Sequence, residues 1–341
     1  MTKKKKFERL SDLGEEGLIE RLRARFEGCG PKVIKSIGDD ACVAAIGPGA
    51  VVLATVDTLV EGIHFQLSYT PARLLGRKAL AISISDIAAM GASPVFCLVS
   101  LAVPATTTVK FIDALYDGIS EVAGRYSVAI AGGNCSRMPG RVVIETTVVG
   151  SALPGRVVYR NGARPGDVVY VSGNPGDAAL GLKVLRRRGA LRGGYKNAVA
   201  KHLDPTPRIE LGAKLSAGRI ATAMIDVSDG LYIDLERLCK SSGVAATVVA
   251  DKLPLSADMA RYPFKSARAR LGTILGGGED YELVFTAARK DAKKIKRLSE
   301  KIKLPVTEIG EITGPSVHGR VRVEDGARRA IENFKAGFVH F

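Results

Sequence analysis

The chain has 341 residues, 46% of them hydrophobic, with 38 glycines and a formal net charge of +15. That length divides naturally into two domains of about 150–190 residues, and no apolar run of about 20 residues is present to span a membrane. Lys3 to Lys6 precede no apolar stretch and form no secretory signal, and Cys29, Cys42, Cys97, Cys135 and Cys239 are scattered without zinc or redox spacing, which fits a reducing cytoplasm. The basic residues are dispersed, with local clusters only at Lys3–Lys6, Arg186–Arg188 and Lys293–Arg297. With no Trp and no aromatic-interleaved basic stripe, they argue against nucleic acid as the partner.

In chain order, residues 13–26 read as a short amphipathic helix. Val43 to Ile46 precede the turn Gly47-Pro48-Gly49. The β-branched run Val51 to Val56 predicts a buried strand ending at Asp57-Thr58. Thr70 as N-cap and Pro71 as first helical residue open a helix that stops near Gly91 and Pro94. It is apolar almost all round, and Asp86 is the only charge between Lys78 and Lys110. At 100° per residue, Asp86 falls near the row of Leu75, Ala79, Ile82 and Met90. A carboxylate there is costly unless it is hydrogen-bonded, paired or bound to a metal. Further expectations are a strand over Val95–Val103, a helix over Thr107–Arg125, and a short strand over Val128–Ala131 leading into Gly132-Gly133-Asn134. A strand over Val142–Val149 completes this half.

A boundary falls near Gly150 to Gly155, dividing the chain into 1–152 and 153–341. Beyond it the pattern predicts strands over Val168–Val171, Ala223–Val227, Val244–Ala250, Tyr281–Thr286 and Lys303–Ile309. Helices are expected over Ala178–Arg187, from Arg208 (capped by the Asp204–Pro207 turn), over Leu231–Ser241 and, strongly basic, over Asp291–Lys301. Alternating strands and helices in both halves indicate an α/β or α+β fold.

Asp39, Asp40, Asp57, Asp86, Asp226, Asp229, Glu279 and Asp280 recur where elements end, beside small residues. Several carboxylates brought together cannot all stay ionised in a dry site without cations. Oxygen-only ligands favour Mg²⁺ over Zn²⁺, and Mg²⁺ completes its octahedron with water and substrate phosphates. The P-loop pattern and the protein-kinase motifs are absent, so a phosphate site here depends on metals and Gly-rich turns such as Gly132-Gly133.

Gly38-Asp39-Asp40-Ala41, Asp57-Thr58-Leu59-Val60-Glu61-Gly62-Ile63-His64-Phe65, Ser85-Asp86-Ile87-Ala88-Ala89-Met90-Gly91-Ala92, Asp226-Val227-Ser228-Asp229-Gly230-Leu231 and Gly277-Gly278-Glu279-Asp280-Tyr281-Glu282-Leu283 together resemble thiamine-monophosphate kinases, in the family's order and over almost the whole chain. The resemblance implies transfer of the γ-phosphoryl of ATP to thiamine monophosphate, giving thiamine diphosphate. It implies the two-domain aminoimidazole ribonucleotide synthetase-like fold, with an N-terminal α/β domain that forms a homodimer, a C-terminal α/β domain, and ATP with several Mg²⁺ ions near the dimer interface. By position it implies metal ligation by Asp40, Thr55, Val56, Asp57, Asp86, Asn134 and Asp226, with Asp229 a further candidate. Val56 offers only its backbone carbonyl, because the family's Thr is missing. It implies nucleotide contacts at Tyr116, Gly133, Asn134, Arg160 and Ser228, and thiamine-phosphate contacts at His64, Glu279 and Phe334. One departure stands out: the family's Gly-Gly-Asp is Gly132-Gly133-Asn134, so one metal site loses a charge.

A phosphate monoester with second pKa about 6 is already a dianionic nucleophile at pH 7, so direct in-line transfer needs no general base. Two other readings share these residues. One is another ATP-using enzyme of the superfamily, such as a purine-biosynthetic synthetase. Selenophosphate synthetase would need a reactive N-terminal Cys, which Cys29 does not resemble, and the hydrogenase-maturation enzyme a C-terminal Cys, where this chain has Phe341. The second is a non-catalytic, basic nucleic-acid-binding relative. Read alone, His64 is an ordinary loop histidine, His202, His318 and His340 are structural or on the surface, and Phe334 belongs to a core.

Overall fold

The structure, a computed structural model, describes residues 33–187 apart from 36 and 48, residues 194–331, and Gly17, Ile19, Glu20, Ala24 and Gly337. The lysine run near the start, Cys29, Arg188, Phe334, Phe338, His340 and Phe341 lie outside the described residues. Of the helix expected over 13–26, Gly17, Ile19, Glu20 and Ala24 are described, and all four are helical.

The β-branched runs of the first half pair into one six-stranded sheet. Its strands are β1 (Val33–Lys35), β2 (Cys42–Gly47), β3 (Ala50–Val60), β4 (Ser93–Val103), β5 (Ala129–Arg137) and β6 (Val143–Ala152), in the order β1-β2-β3-β6-β4-β5. Two helices, α1 (Ala72–Ala89) and α2 (Val109–Tyr126), belong to this half. Val51, Leu53, Leu59, Val99, Leu101, Ile144 and Val148 pack with the helices in one core. The alternate residues point the other way, where Val56 and Leu98 are exposed. The helices cross with their backbones touching. A Cβ on Gly76 would lie 1.9 Å from the Leu115 carbonyl oxygen, and one on Gly118 1.9 Å from that of Arg73.

The second half forms the other six-stranded sheet. Its strands are β7 (Val168–Ser172), β8 (Ala221–Val227), β9 (Val244–Val249), β10 (Glu282–Ala287), β11 (Val306–Pro315) and β12 (Val321–Glu324), in the order β12-β9-β11-β7-β10-β8. The helices are α3 (Asp177–Arg186), α4 (Lys196–Leu203), α5 (Ile209–Ala217), α6 (Leu231–Ser242), α7 (Ala257–Arg261), α8 (Ala267–Gly276) and α9 (Ala292–Ile302). The mixed α/β character read from the alternation of elements is what the two sheets and their helices form. α1 packs on both halves, against β3 and β6 on one side and α5 and β8 on the other. Its lack of a polar face follows from that position between the two layers.

Several local expectations are corrected. Thr70 is not the N-cap: α1 is capped by Pro71 without a side-chain hydrogen bond, and the Thr70 hydroxyl is buried without a partner. The Leu75 N–H bonds the Pro71 carbonyl, and Pro71 has no N–H of its own to satisfy. β3 does not stop at Asp57 but runs on to Val60, because β6 pairs with it residue for residue from Val51 to Val60. Gly132-Gly133 is no turn: the strand expected over Val128–Ala131 continues to Arg137 along β4, since glycine lets its backbone lie close beside Val99. Asp204 does not cap α5, whose N-cap is Arg208; its carboxylate holds Arg77 of α1 through two bonds of 2.8 and 2.9 Å.

Beneath the C-terminal half of the site lies a buried ion cluster. Glu282 is 1% exposed and takes Lys201, Arg208 and the Ser172 hydroxyl on its two oxygens. Burial favours its neutral form, but Lys201 and then Arg208 outweigh this and hold the carboxyl at about 2. Truncation leaves two cations buried without a counter-charge. Glu282→Ala is therefore expected to cost about 3–5 kcal/mol, read as a lower urea midpoint with an unchanged slope.

Candidate active site

The acidic residues that the sequence scatters over nearly 200 positions meet at the junction of the two sheets. Asp57 points from β3 to the same face as Thr55, two residues before it. Asp86 comes from the last turn of α1, Asp40 from the segment before β2, and Asp226 from the end of β8. Asp40, Asp86 and Asp226 each present an oxygen, and these oxygens all lie within 4.8 Å of one another. Asp86 shares the helix face of Ile82, as expected. It is half-buried and faces the other carboxylates, where the Thr55 hydroxyl donates to it. Asp226 accepts from the Ser85 hydroxyl at 2.7 Å. One Asp57 oxygen, Oδ2, is buried without a hydrogen-bond partner.

The charges in this cluster oppose one another. Burial, then Asp57, Asp226 and Asp40, push the Asp86 carboxyl well above the usual range. Burial and then Asp40 do the same to Asp226. Asp57 is pushed up to about 6, mainly by burial, against a hydrogen bond from Ser83. Among the described residues the guanidinium that enters is Arg160, whose Nη2 and Nε bond both Asp40 oxygens at 2.8 and 3.2 Å. Four carboxylates sharing one cation remain under-neutralised, the electrostatic signature of a divalent-cation site. All donors are oxygen, and the orphaned Asp57 Oδ2 lacks the partner that a bound ion provides, so the residues present fit Mg²⁺.

Next to this cluster, the turn after β8 is pinned by Asp234. Its Oδ2 accepts the backbone N–H groups of Ser228, Asp229 and Gly230 at 3.0–3.1 Å. Arg237 bonds Asp229 at 2.5 Å and Asp234 at 2.9 Å. This fixes the direction in which Ser228 and Asp229 meet a ligand.

A cavity of about 680 Å³ opens from the carboxylates between the two halves. Asp57, Ser228 and Asp229 stand along its wall, with Ile63, Ile82 and Leu182 as apolar lining, and His64 and Glu279 border it. His64 Nδ1 accepts the Val60 N–H at 3.0 Å, which leaves the proton of a neutral ring on Nε2. Glu279 has φ +66°, a conformation that costs a non-glycine residue energy, and its N–H bonds the Ser228 carbonyl at 2.6 Å.

Tyr116, Gly133 and Asn134 are not brought to the carboxylates within one chain. Register aligns Gly133 with Val99, Thr146 and Asp57 across β5, β4, β6 and β3. That is three strand spacings, or about 14 Å. Asn134 is next along β5 and points to the opposite face. Val56 is 57% exposed on that face too. Tyr116, on α2, is half-buried; its phenol is raised by burial and then by Cys135 and Cys97, the former directly after Asn134. The residues expected at a site thus fall into a carboxylate group, a cavity group and an edge-strand group, and Phe334 lies outside the described residues.

Sequence reasoning missed Lys78, Ser85, His202 and Arg237. His202, read as structural or on the surface, is 1% exposed with Nδ1 3.1 Å from Glu279 Oε2. Lys78 is 1% exposed with Nζ 2.6 Å from Glu279 Oε1. One signal for Lys78 was present: it stands eight residues before Asp86, on the same face of the helix.

Residues 38–152 match the AIR synthase related protein N-terminal domain, and residues 164–322 its C-terminal domain. A thiamine-monophosphate kinase of Bacillus subtilis is 35% identical over 309 residues, covering 89% of this chain and 93% of its own length. The chain belongs to the thiamine-monophosphate kinase family. Solved structures of that family agree with the architecture. AaThiL complexed with AMPPCP and TMP superposes with a TM-score of 0.83 at 32% identity, covering 98% of this chain and all of that one. The thiamine-monophosphate kinase of Stenotrophomonas maltophilia K279a gives 0.75 at 36% identity, covering 90% and 95%. No described helix is long and apolar enough to cross a membrane.

Proposed function

We infer that this chain is an ATP-dependent kinase that phosphorylates thiamine monophosphate, with Mg²⁺ held by Asp40, Asp57, Asp86 and Asp226 and transfer in line. The observation that carries the reading is the buried, under-neutralised carboxylate cluster opening directly into a cavity whose ring-sized, partly apolar wall carries Glu279 and His64. The Thr55 hydroxyl, the Val56 carbonyl and Asp229 are the further candidate ligands. Mg²⁺ there supplies charge neutralisation for two polyanions that otherwise repel.

The chain's own residues do the rest by positioning. Arg160 and Ser228 border the phosphate side, and Glu279 and His64 accept and donate to the ring end of the acceptor. A terminal oxygen of the acceptor phosphate, mostly unprotonated at pH 7, attacks the γ-phosphorus as the bond to the β,γ-bridging oxygen breaks. ADP leaves, no proton must be removed by the protein, and no phosphoenzyme forms.

The same reading makes the chain a cytoplasmic homodimer of two-domain subunits, 1–152 and 153–341. Every residue of β5 is exposed, although the strand is part of the sheet. Val56, Leu98 and Ile130 are exposed large hydrophobics on the same sheet. A second copy laid on this sheet covers that surface and brings Tyr116, Gly133 and Asn134 of one chain towards the carboxylates of the other, the arrangement that a nucleotide bridging the two groups requires.

The purified protein with ATP, Mg²⁺ and thiamine monophosphate is expected to form thiamine diphosphate and ADP in equal amounts, and to form neither product from free thiamine. A folded protein that binds ATP but leaves thiamine monophosphate unchanged, or a labelled phosphoprotein trapped from ATP alone, overturns the corresponding part of the reading.

A further inference from the structure

Lys78 is a buried ammonium in the middle of α1, 1% exposed, a setting a charge occupies only with a partner. Its partner, Glu279, comes from the other half of the chain, 201 positions away. Lys78 Nζ holds Glu279 Oε1 at 2.6 Å, and the buried His202 Nδ1 lies 3.1 Å from Oε2 without the geometry of a hydrogen bond. The carboxylate nevertheless keeps 24% of its surface exposed and borders the cavity. Its remaining lone pairs are therefore available to a ligand, while its position is set from behind.

The backbone adds a second restraint. Glu279 and Tyr281 have φ +66° and +50°, and their N–H groups return to the Ser228 and Val227 carbonyls. The loop cannot move away from the turn that carries Ser228 and Asp229.

Lys78, Ile82 and Asp86 follow at i, i+4 and i+8 on one face of α1. Ile82 lines the cavity and Asp86 belongs to the carboxylate cluster. Eight residues of helix span about 12 Å. One rigid element thus carries the support of the ring-end acceptor at one end and a phosphate-end ligand at the other.

We propose that Lys78, which leaves α1 about 12 Å along the helix axis from Asp86, is a positioning residue that sets acceptor specificity: it holds Glu279 as a fixed anionic hydrogen-bond acceptor, so that the site selects phosphate esters whose far end carries an amino-bearing ring. The proposal rests on the kinase reading above, since that reading supplies the acceptor, but its test separates the two.

The test compares wild type with Lys78→Met and with Lys78→Met/Glu279→Leu, since replacing both members of a buried ion pair by apolar residues restores stability in many proteins. Calorimetry measures thiamine monophosphate binding in the presence of Mg²⁺ and a non-hydrolysable ATP analogue, and steady-state kinetics measures KM and kcat. For Lys78→Met the expectation is a rise in Kd and KM for thiamine monophosphate of about 30-fold, the loss of one charge-assisted contact, with kcat and the KM for ATP changed less than about threefold. The double variant regains the wild-type melting temperature but not the affinity. A thiazole phosphate lacking the pyrimidine ring binds wild type and Lys78→Met equally.

Unchanged thiamine monophosphate affinity in folded Lys78→Met overturns the proposal. So does an equal loss with the truncated acceptor, which makes Lys78 merely structural. If Lys78→Met does not fold, Lys78→Arg keeps the charge, alters its reach and is judged by the same readouts. Wild type that binds no thiamine monophosphate is a failure of the kinase reading, and the proposal then falls with it.

Discussion

Asp86→Asn is expected to reduce kcat by about 10³-fold or more, the scale of losing a preorganised electrostatic element at a phosphoryl-transfer site, and at the same time to raise the melting temperature of the metal-free protein. The two effects have one cause. Asp86 is held against Asp57, Asp226 and Asp40, and its ionised form is disfavoured by burial first and by those three charges next. Asn keeps the shape and the bond from Thr55 while removing one of the repelling charges. The pH dependence follows from linkage. A carboxyl with a folded-state pKa above its unfolded value keeps its proton in the native state after the unfolded state has lost it, so stability falls as pH rises between the two values. For Asp57 that interval runs from 3.8 to about 6, and for Asp86 and Asp226 it extends higher, because both are raised well above 3.8. The metal-free protein is thus expected to melt at a higher temperature at pH 5 than at pH 7.5 as far as these groups contribute. Mg²⁺ selects the ionised form and stabilises wild type more at pH 7.5. Thermal melts at both pH values, with EDTA and with Mg²⁺, check this. An Mg²⁺-induced shift of the same size in Asp86→Asn, or a metal-free variant less stable than wild type at pH 7.5, contradicts the assignment.

Two inactive variants are expected to rescue one another. Asp57→Ala removes a carboxylate from the cluster. Gly133→Val blocks the edge strand, where even a Cβ would lie 1.9 Å from the Val99 carbonyl oxygen. If the nucleotide lies between the carboxylates of one copy and the edge strand of another, each variant alone has no intact site. In a co-expressed mixture half of the dimers are mixed, and each of these has one intact site of two. About a quarter of the wild-type activity therefore returns. Mixed dimers that purify together and remain inactive place both groups of residues in a single chain's site, which the separation of about 14 Å across the sheet opposes.

The two expectations draw on different kinds of information. The carboxylates were legible because each stands beside small residues at or near an element's end, and because a lone Asp86 on an apolar helix demands an explanation. The strands and helices of both halves were legible for the same local reason, β-branched runs punctuated by Gly and Pro. Errors arose where pairing with a neighbour overrode the local pattern. Asp57-Thr58 looked like a strand end until β6 extended the ladder to Val60. Gly132-Gly133 looked like a turn until β4 drew it into a strand, because glycine is the residue that allows so close an approach.

The sequence by itself determined that this is a mixed α/β chain with an acidic, oxygen-only site and the motif order of a kinase family, since these depend on residue type and short spacing. Only the tertiary structure decided which of these residues lie together. Lys78 and Glu279 are 201 positions apart, His202 read as a structural histidine, and Asn134 adjoined a Gly pair that looked like part of the phosphate site. Burial made the first three a single charge-balanced unit, because an ammonium and a carboxylate can share a low-dielectric interior only in contact. Strand register carried the fourth away to an exposed edge, because the spacing and the alternation of a sheet set both the distance and the face.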